Sequence, residues 1–238
     1  MASIFLSPST QENNIGFGNY NSEEYRMNAI ADVVQSTLEV FGVVVQRNIS
    51  TDTLKQVVEK SNKINPDLHL AIHSNAGGGR GCEVFCYKTD GRIGHKYAEK
   101  LYKRISAITP TADRGIKAGF NFYGEGKHMY EVTYTKAPAA LIEVNFHDNS
   151  ADANWIITNT EKIGTEIAYA TLEQLGVKDR LIGISTETAY KSYPGLKDLL
   201  EKQIITRTDF MSSEKTKYFT CEQTATIISR AIDYLAKK

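Results

Sequence analysis

The chain has 238 residues, 41% hydrophobic and 24% charged, which are proportions of an ordinary globular protein. Its 28 basic and 28 acidic residues cancel, so neither the basic stripe of a nucleic-acid binder nor a polybasic membrane anchor is present. Three cysteines, Cys82, Cys86 and Cys221, are too few for a zinc knuckle, and their odd count argues against a stapled secreted fold.

In chain order, Ile4-Phe5-Leu6 reads as a short buried strand, ended by Pro8 and a polar loop through Tyr20. Met1 to Pro8 has neither the basic start nor the apolar core of a secretory signal. No stretch approaches the roughly 20 apolar residues that span a bilayer. The expectation is a chain made in the cytoplasm without membrane insertion. Ser22 caps a predicted helix from Glu23 to Phe41, with Ile30, Val33, Val34 and Leu38 forming its apolar stripe. Val43–Val45 is a second strand, and Thr51–Ser61 a short helix. Leu68–His73 is a third strand, opening onto the polar, glycine-rich run Ser74-Asn75-Ala76-Gly77-Gly78-Gly79. Cys82–Tyr87 is a fourth strand and Gly94–Ile105 a helix broken by Pro110. Arg114 to Lys136, rich in Gly and aromatics, reads as an irregular loop or hairpin. Ala139–Val144 is the next strand, and a long helix runs from Ala151 to Leu175. Strands alternating with helices predict an α/β fold, a mostly parallel twisted sheet with helices on both faces. That domain is expected over residues 1–176, followed by a linker at 177–191. A small all-helical module at 192–238 would hold helices at Gly195–Lys202 and Thr220–Ala236.

Three groups are suited to chemistry. Ligands of parallel sheets bind at the carboxyl ends of strands, and His73 stands at such an end. Glu24 lies in the first turn of the first long helix. Glu143 sits among Leu141, Ile142 and Val144, where an unpaired carboxylate is costly and so needs a partner or a task. A catalytic zinc uses three protein ligands and a neighbouring base. Glu24 and His73 can supply two ligands, and Glu143 can move the proton of the attacking water.

The ordered segments Glu24-x-x-x-Asn28, His73-Ser74-Asn75-Ala76, Gly81-Cys82-Glu83-Val84, Arg114-Gly115-Ile116-Lys117 and Pro138-x-x-Leu141-Ile142-Glu143-x-x-Phe146-x-x-Asn149 resemble the zinc-dependent N-acetylmuramoyl-L-alanine amidases. The likeness is strongest to clostridial cell-wall amidases and phage endolysins, and it covers residues 4–175. It implies a bacterial peptidoglycan hydrolase that cuts between the lactyl group of N-acetylmuramic acid and L-Ala. Glu24 and His73 would hold Zn2+, Glu143 would be the catalytic acid/base, and Asn75 would line the substrate groove. The family's first ligand, a His in a Gly-His turn after the first strand, is missing: the turn reads Ser7-Pro8-Ser9-Thr10-Gln11-Glu12. Thr10 falls nearest the expected place. Gln11 has a longer oxygen donor, and His147 could approach from the far side. The rival readings are a wall metallo-peptidase acting within the stem peptide and a degenerate amidase that only binds the wall.

The remaining segments imply less. His69 shares strand parity with His73 as a packed residue. His128, in the aromatic loop Phe120–His128, could reach substrate. Leu196-x-x-Leu199-Leu200 and Phe219-Thr220-x-Glu222 faintly resemble one S-layer-homology unit, which implies wall attachment or a homodimer through that module. Release through holin pores would then deliver the enzyme to the wall.

Overall fold

The computed structural model describes residues 1–111 and 114–177. The expected linker beyond Val177 and the helical module at 192–238 lie outside the described residues. Six strands, β1 (Ser3–Pro8), β2 (Val44–Arg47), β3 (Leu68–Asn75), β4 (Glu83–Cys86), β5 (Ile116–Ala118) and β6 (Ala139–Phe146), form one sheet. Their order is β2-β1-β3-β6-β4-β5. Every neighbouring pair is parallel except β4 with β6, which is antiparallel.

Alternation of side chains across the strands makes two different faces. Ile4, Leu6, Leu70, Ile72, Val84, Ile142 and Val144 point into the main core. Three helices cover it: α1 (Glu23–Val40), α3 (Ile93–Ser106) and α6 (Thr160–Leu175). The opposite face carries a small apolar patch, Ala71, Phe85, Ala139 and Leu141, packed on Val132, with Phe5 stacked on His69 beside it. It is covered by α2 (Leu54–Ile64) and the short α4 (Tyr130–Tyr134), joined through Asn62 Nδ2 donating to Tyr134 O at 3.0 Å. The polar residues of β3 and β6, His69, His73 and Glu143, belong to this second face by parity.

Local chemistry sets the element ends. Ser22 accepts from the Tyr25 N–H at the start of α1, as expected. Thr53 and Gln56 form a capping box, so α2 starts at Leu54, after the expected Thr51. The single helix expected at 151–175 is two, α5 (Ser150–Thr158) and α6, broken at Asn159. Asn159 Nδ2 donates to Trp155 O at 2.9 Å, a side-chain bond that competes with the helix ladder. The stretch expected to be irregular contains β5 and α4, both too short to show a period.

The loop from β3 to β4 is pinned from the opposite side. Gly77 and Gly78 donate their N–H groups to Asp148 Oδ2 at 2.7 and 2.8 Å, and Gly81 N–H donates to the buried Asp152 at 3.0 Å. Gly77 has φ 113°, a conformation only glycine adopts readily.

Candidate active site

Strand pairing brings the key residues into one row. His73 of β3 lies opposite Glu143 of β6, and Glu143 lies opposite Glu83 of β4. Partners on adjacent strands share a face, so an imidazole and two carboxylates stand side by side at the carboxyl ends of β3 and β6. The sequence placed Glu143 and His73 in separate strands; the register makes them neighbours.

The carboxylate that reaches His73 is Glu23. Its Oε1 lies 2.9 Å from His73 Nδ1 and accepts from the Ser74 N–H at 3.4 Å. Its Oε2 accepts from Asn14 Nδ2 at 2.7 Å. Burial alone would raise its pKa, but the His73 bond and charge, with bonds from Ser9 and Asn14, hold it below the usual carboxylate range. Glu24, the expected ligand, is half-buried beside that pair, and its backbone N–H meets the Gln11 carbonyl at 3.4 Å. It lines a shallow surface hollow with Thr10, Gln11 and Asn14, while Glu23 is 1% exposed. One helical residue is a rotation of about 100°, enough to separate the two.

Burial would lower the His73 pKa, but the Glu23 bond and the fields of Glu143, Glu23 and Glu131 outweigh it and lift it to about 9. Glu143 moves the other way for a carboxyl. Burial first, then the negative charges of Glu23 and Glu83, push it up to about 8 against the opposing pull of His73. Its Oε2 is buried without a hydrogen-bond partner among the described residues.

Glu83 was not among the expected site residues. It is 4% exposed and receives Lys117 Nζ, Arg114 Nε at 3.1 Å and Asn75 Nδ2 at 2.5 Å. A carboxylate in the four-residue strand Glu83–Cys86 is as anomalous as Glu143, and that signal was readable. Asn75, expected to line the groove, is thereby fixed beside the row. The guanidinium of Arg114 stacks over Phe146 at 5.0 Å. Two rings of the aromatic loop, Phe122 and Tyr123, are 41% and 62% exposed, and Phe122 sets its edge on Phe85 at 4.8 Å. His128 instead stacks on Phe120 at 4.5 Å and accepts the Asn121 N–H, which pins the loop from within.

His147 is not brought to the row. From His73 to Asn75, β3 advances two residues while β6 advances three, from Glu143 to Phe146, a bulge at the left-handed Asn145 with φ 53°. In a regular strand His147 would share the face of Glu143; the bulge turns it to the other side. There Nδ1 meets Ser74 Oγ at 2.8 Å, and Nε2 meets Asn14 Oδ1 at 3.1 Å. His69 is likewise committed, with Ser61 at 2.9 Å and Glu131 at 2.8 Å on its two nitrogens.

Among the described residues, no group of three His, Cys, Asp or Glu side chains stands where it could hold a metal ion. The pair that is present fits two positions of a zinc shell. Bonds of about 2.0–2.2 Å from N and O donors set tetrahedral ligands roughly 3.3 Å apart. The 2.9 Å between His73 Nδ1 and Glu23 Oε1 is close to that edge. Two neutral amides also reach Glu23, Asn14 Nδ2 at 2.7 Å and Gln11 Nε2 at 3.5 Å.

A mostly parallel sheet of this order, with a buried carboxyl beside a His–Glu pair at its strand ends, is an α/β scaffold that sets an acid–base group next to two possible metal donors. The family model of the N-acetylmuramoyl-L-alanine amidases (Amidase_3) matches residues 4–173, and the chain belongs to that family. It is 29% identical over 160 residues to the N-acetylmuramoyl-L-alanine amidase LytC of Bacillus subtilis (strain 168), covering 63% of this chain and 30% of that one. Other curated relatives are likewise matched over only part of their length, 20% and 60% in two cases. The catalytic domain of the amidase CwlV from Bacillus (Paenibacillus) polymyxa superposes with a TM-score of 0.64 at 24% identity, over 74% of this chain and 99% of that one. The catalytic domain of the endolysin CD27L, targeting Clostridia difficile, gives 0.59 at 21%, over 73% and 98%. At these identities the superpositions speak for the fold.

Proposed function

We propose that this chain hydrolyses bacterial peptidoglycan, cutting the amide between the lactyl group of N-acetylmuramic acid and L-Ala of the stem peptide. The observation that carries the reading is Glu143: a carboxyl whose Oε2 is buried without a hydrogen-bond partner among the described residues, opposite the His73 that pairs with Glu23, in a member of the amidase family. A carboxyl lifted to about 8 sits near the midpoint between acid and base. It is suited to take a proton from the attacking water and return it to the departing L-Ala nitrogen. The Glu83 cluster holds Arg114 and Lys117 beside the row, where they can meet carboxylates of the stem peptide. Asn75, Phe122 and Tyr123 offer an amide and two rings to the glycan.

Glu23 and His73 would hold Zn2+, with Gln11 as the third donor once its amide turns its oxygen inward. Zinc in such a shell supplies Lewis-acid polarisation of the scissile carbonyl and a more acidic water. Every proton step remains with Glu143. The role proposed for Glu24 from sequence passes to Glu23. Residues 1–176 form the catalytic domain in this reading, and 192–238 attach to the wall or to a second copy. Release through holin pores is the matching delivery route.

The test is to digest purified peptidoglycan and map the newly freed amine. Free L-Ala amino termini support an amidase, and new termini within the stem peptide would make it a peptidase. Glu143→Gln is expected to lower the turnover of soluble muropeptide by roughly 10²–10⁴-fold. Lysis by Glu143→Ala equal to that of the unaltered protein would sink the proposal. Among the described residues only Glu23 and His73 stand as an acidic and an imidazole ligand, which favours one second reading, a relative that grips the wall without cutting it; wall binding with no freed amine would establish it.

A further inference from the structure

The sequence offers His147 as a ligand that could approach from the far side, and the bulge at Asn145 turns it away from the row. Its new surroundings are fully committed. The residue is 1% exposed, and its ring lies against that of Tyr20, centroids 5.5 Å apart and planes 29° from parallel. Its Nδ1 is held by Ser74, with Oγ at 2.8 Å and the carbonyl oxygen at 3.0 Å. Tyr20 Oη meets the same Ser74 Oγ at 2.7 Å. With one side of the imidazole fixed in this way, Nε2 is left to face Asn14 Oδ1 at 3.1 Å.

Asn14 stands between His147 and Glu23. Its Nδ2 is 2.7 Å from Glu23 Oε2. Glu23 is held ionised, so both of its oxygens can only accept. The amide must therefore present its NH2 to Glu23, which leaves its oxygen for His147, and His147 Nε2 carries the hydrogen that this oxygen accepts. The hydrogen bonds run in one direction, from His147 to Asn14 and from Asn14 to Glu23 Oε2. Glu23 Oε1 is then free to meet His73 Nδ1 at 2.9 Å.

The main chain repeats the same connection. The Glu23 N–H donates to Asn14 O at 2.8 Å, and Ile15 bridges Ser22, so the loop from Asn14 to Glu23 is closed on itself. The Phe17 N–H of that loop donates to His147 O at 2.7 Å. His147 thus grips the loop with its carbonyl and its ring at once, and the ring bond is the one that ends on a carboxylate of the site. A glutamate side chain has three rotatable torsions, and a bond to its second oxygen is what selects one orientation for the first. Outer partners of this kind orient metal-binding groups and set how well they bind.

We propose that His147 is a positioning residue of the candidate metal site. It acts through Asn14, whose amide holds one oxygen of Glu23 so that the other stays against His73. The proposal rests on the reading of Glu23 and His73 as the pair that would hold Zn2+, and it gives His147 the support of that pair in place of membership in it.

The experiment measures Zn2+ affinity of the full chain, stripped of metal and titrated in competition with a chromophoric chelator. His147→Phe keeps a ring on Tyr20 and removes both nitrogens; it is expected to weaken Zn2+ binding by roughly 10–100-fold. Asn14→Leu should do the same. The double variant should lose no more than the larger single loss, because the two residues act in series. His147→Gln, whose amide can still donate to Asn14, should recover most of the affinity, whereas a role in packing alone would favour Phe over Gln. If His147→Phe does not fold, the unaltered protein carries the test: a slowly exchanging Nε2–H resonance of His147 should disappear in Asn14→Leu together with the affinity. The proposal is overturned by unweakened Zn2+ binding in His147→Phe and Asn14→Leu, by losses that add in the double variant, by His147→Gln no better than His147→Phe, or by an Nε2–H resonance indifferent to Asn14. Glu23→Gln separates the two levels. Unchanged Zn2+ affinity there would show the pair itself to be misassigned, and the proposal falls with it; lost affinity there, with full affinity in His147→Phe, refutes the positioning role alone.

Discussion

Holding the Glu143 carboxyl neutral up to about pH 8 means that the folded domain keeps a proton that the unfolded chain releases near pH 4.5. Such a group stabilises the fold at low pH, and that contribution is lost as pH rises toward and through 8. Glu143→Gln removes the titration, so the variant is expected to melt above the unaltered protein, with a larger gain at pH 9 than at pH 5. Thermal melts of the metal-free protein across that range check it, and a gain independent of pH would contradict the shielding described. His73 behaves alike: its stabilising charge is complete below its ordinary value of 6.5 and lost as pH passes about 9. Both residues were readable from sequence, one as a charge among Leu, Ile and Val, the other as an imidazole at a strand end. Glu23 was readable too. It lies four residues before Met27 and seven before Ile30, on the buried stripe of α1, whereas Glu24 is one step off it. Pattern likeness drew attention to Glu24, and helical period favours Glu23. Metal content decides: Glu23→Gln should lose zinc more than Glu24→Gln does, and the reverse would restore the original assignment.

Packing between elements gives sharper tests of the scaffold. Helices α1 and α6 touch at Gly164, where an added Cβ would meet Val33 Cβ at 2.6 Å and the Ile30 carbonyl oxygen at 2.9 Å. Gly164→Ala must push the helices apart and should cost about 1–3 kcal/mol in a denaturant titration. Asp152, fully buried, accepts from Gly81, Phe146 and Arg80 and so ties α5 to the loop leading into β4. Asp152→Ala strands those donors and should cost about 1–3 kcal/mol for each one left without water. It should also loosen Glu83, seen as a higher KM alongside any change in kcat. Long elements were legible because each repeats its period several times. The elements β5 and α4, of three and five residues, carry no readable period. The bulge at Asn145 was hidden for another reason: asparagine tolerates positive φ but does not announce it. That one residue removed His147 from the list of ligands.

At the scale of the molecule, the family match ends at residue 173, within the last turn of α6, the last helix described. The domain over residues 1–177 buries its own core between the sheet and α1, α3 and α6. A chain ended after Val177 is expected to unfold in one cooperative transition and to hydrolyse soluble muropeptide at an undiminished rate. Its hold on intact walls should weaken if residues 192–238 are the attachment module. Unchanged wall binding would assign attachment to the catalytic domain itself. The α/β class was legible because alternation of strand and helix runs the whole length of the domain. The reversal of β4 was not, since strand direction depends on a crossover that no local pattern records.

The pairing of His73 with Glu143 joins residues 70 positions apart. The working row therefore has no existence in any shorter nascent chain. A ribosome must release the segment through Phe146 before the central pair of strands can close, and pairings so distant in sequence form slowly. Prematurely ended translation products would carry the imidazole and its carboxylate partner but no proton carrier. Under the proposed function, synthesis itself would then delay the onset of activity.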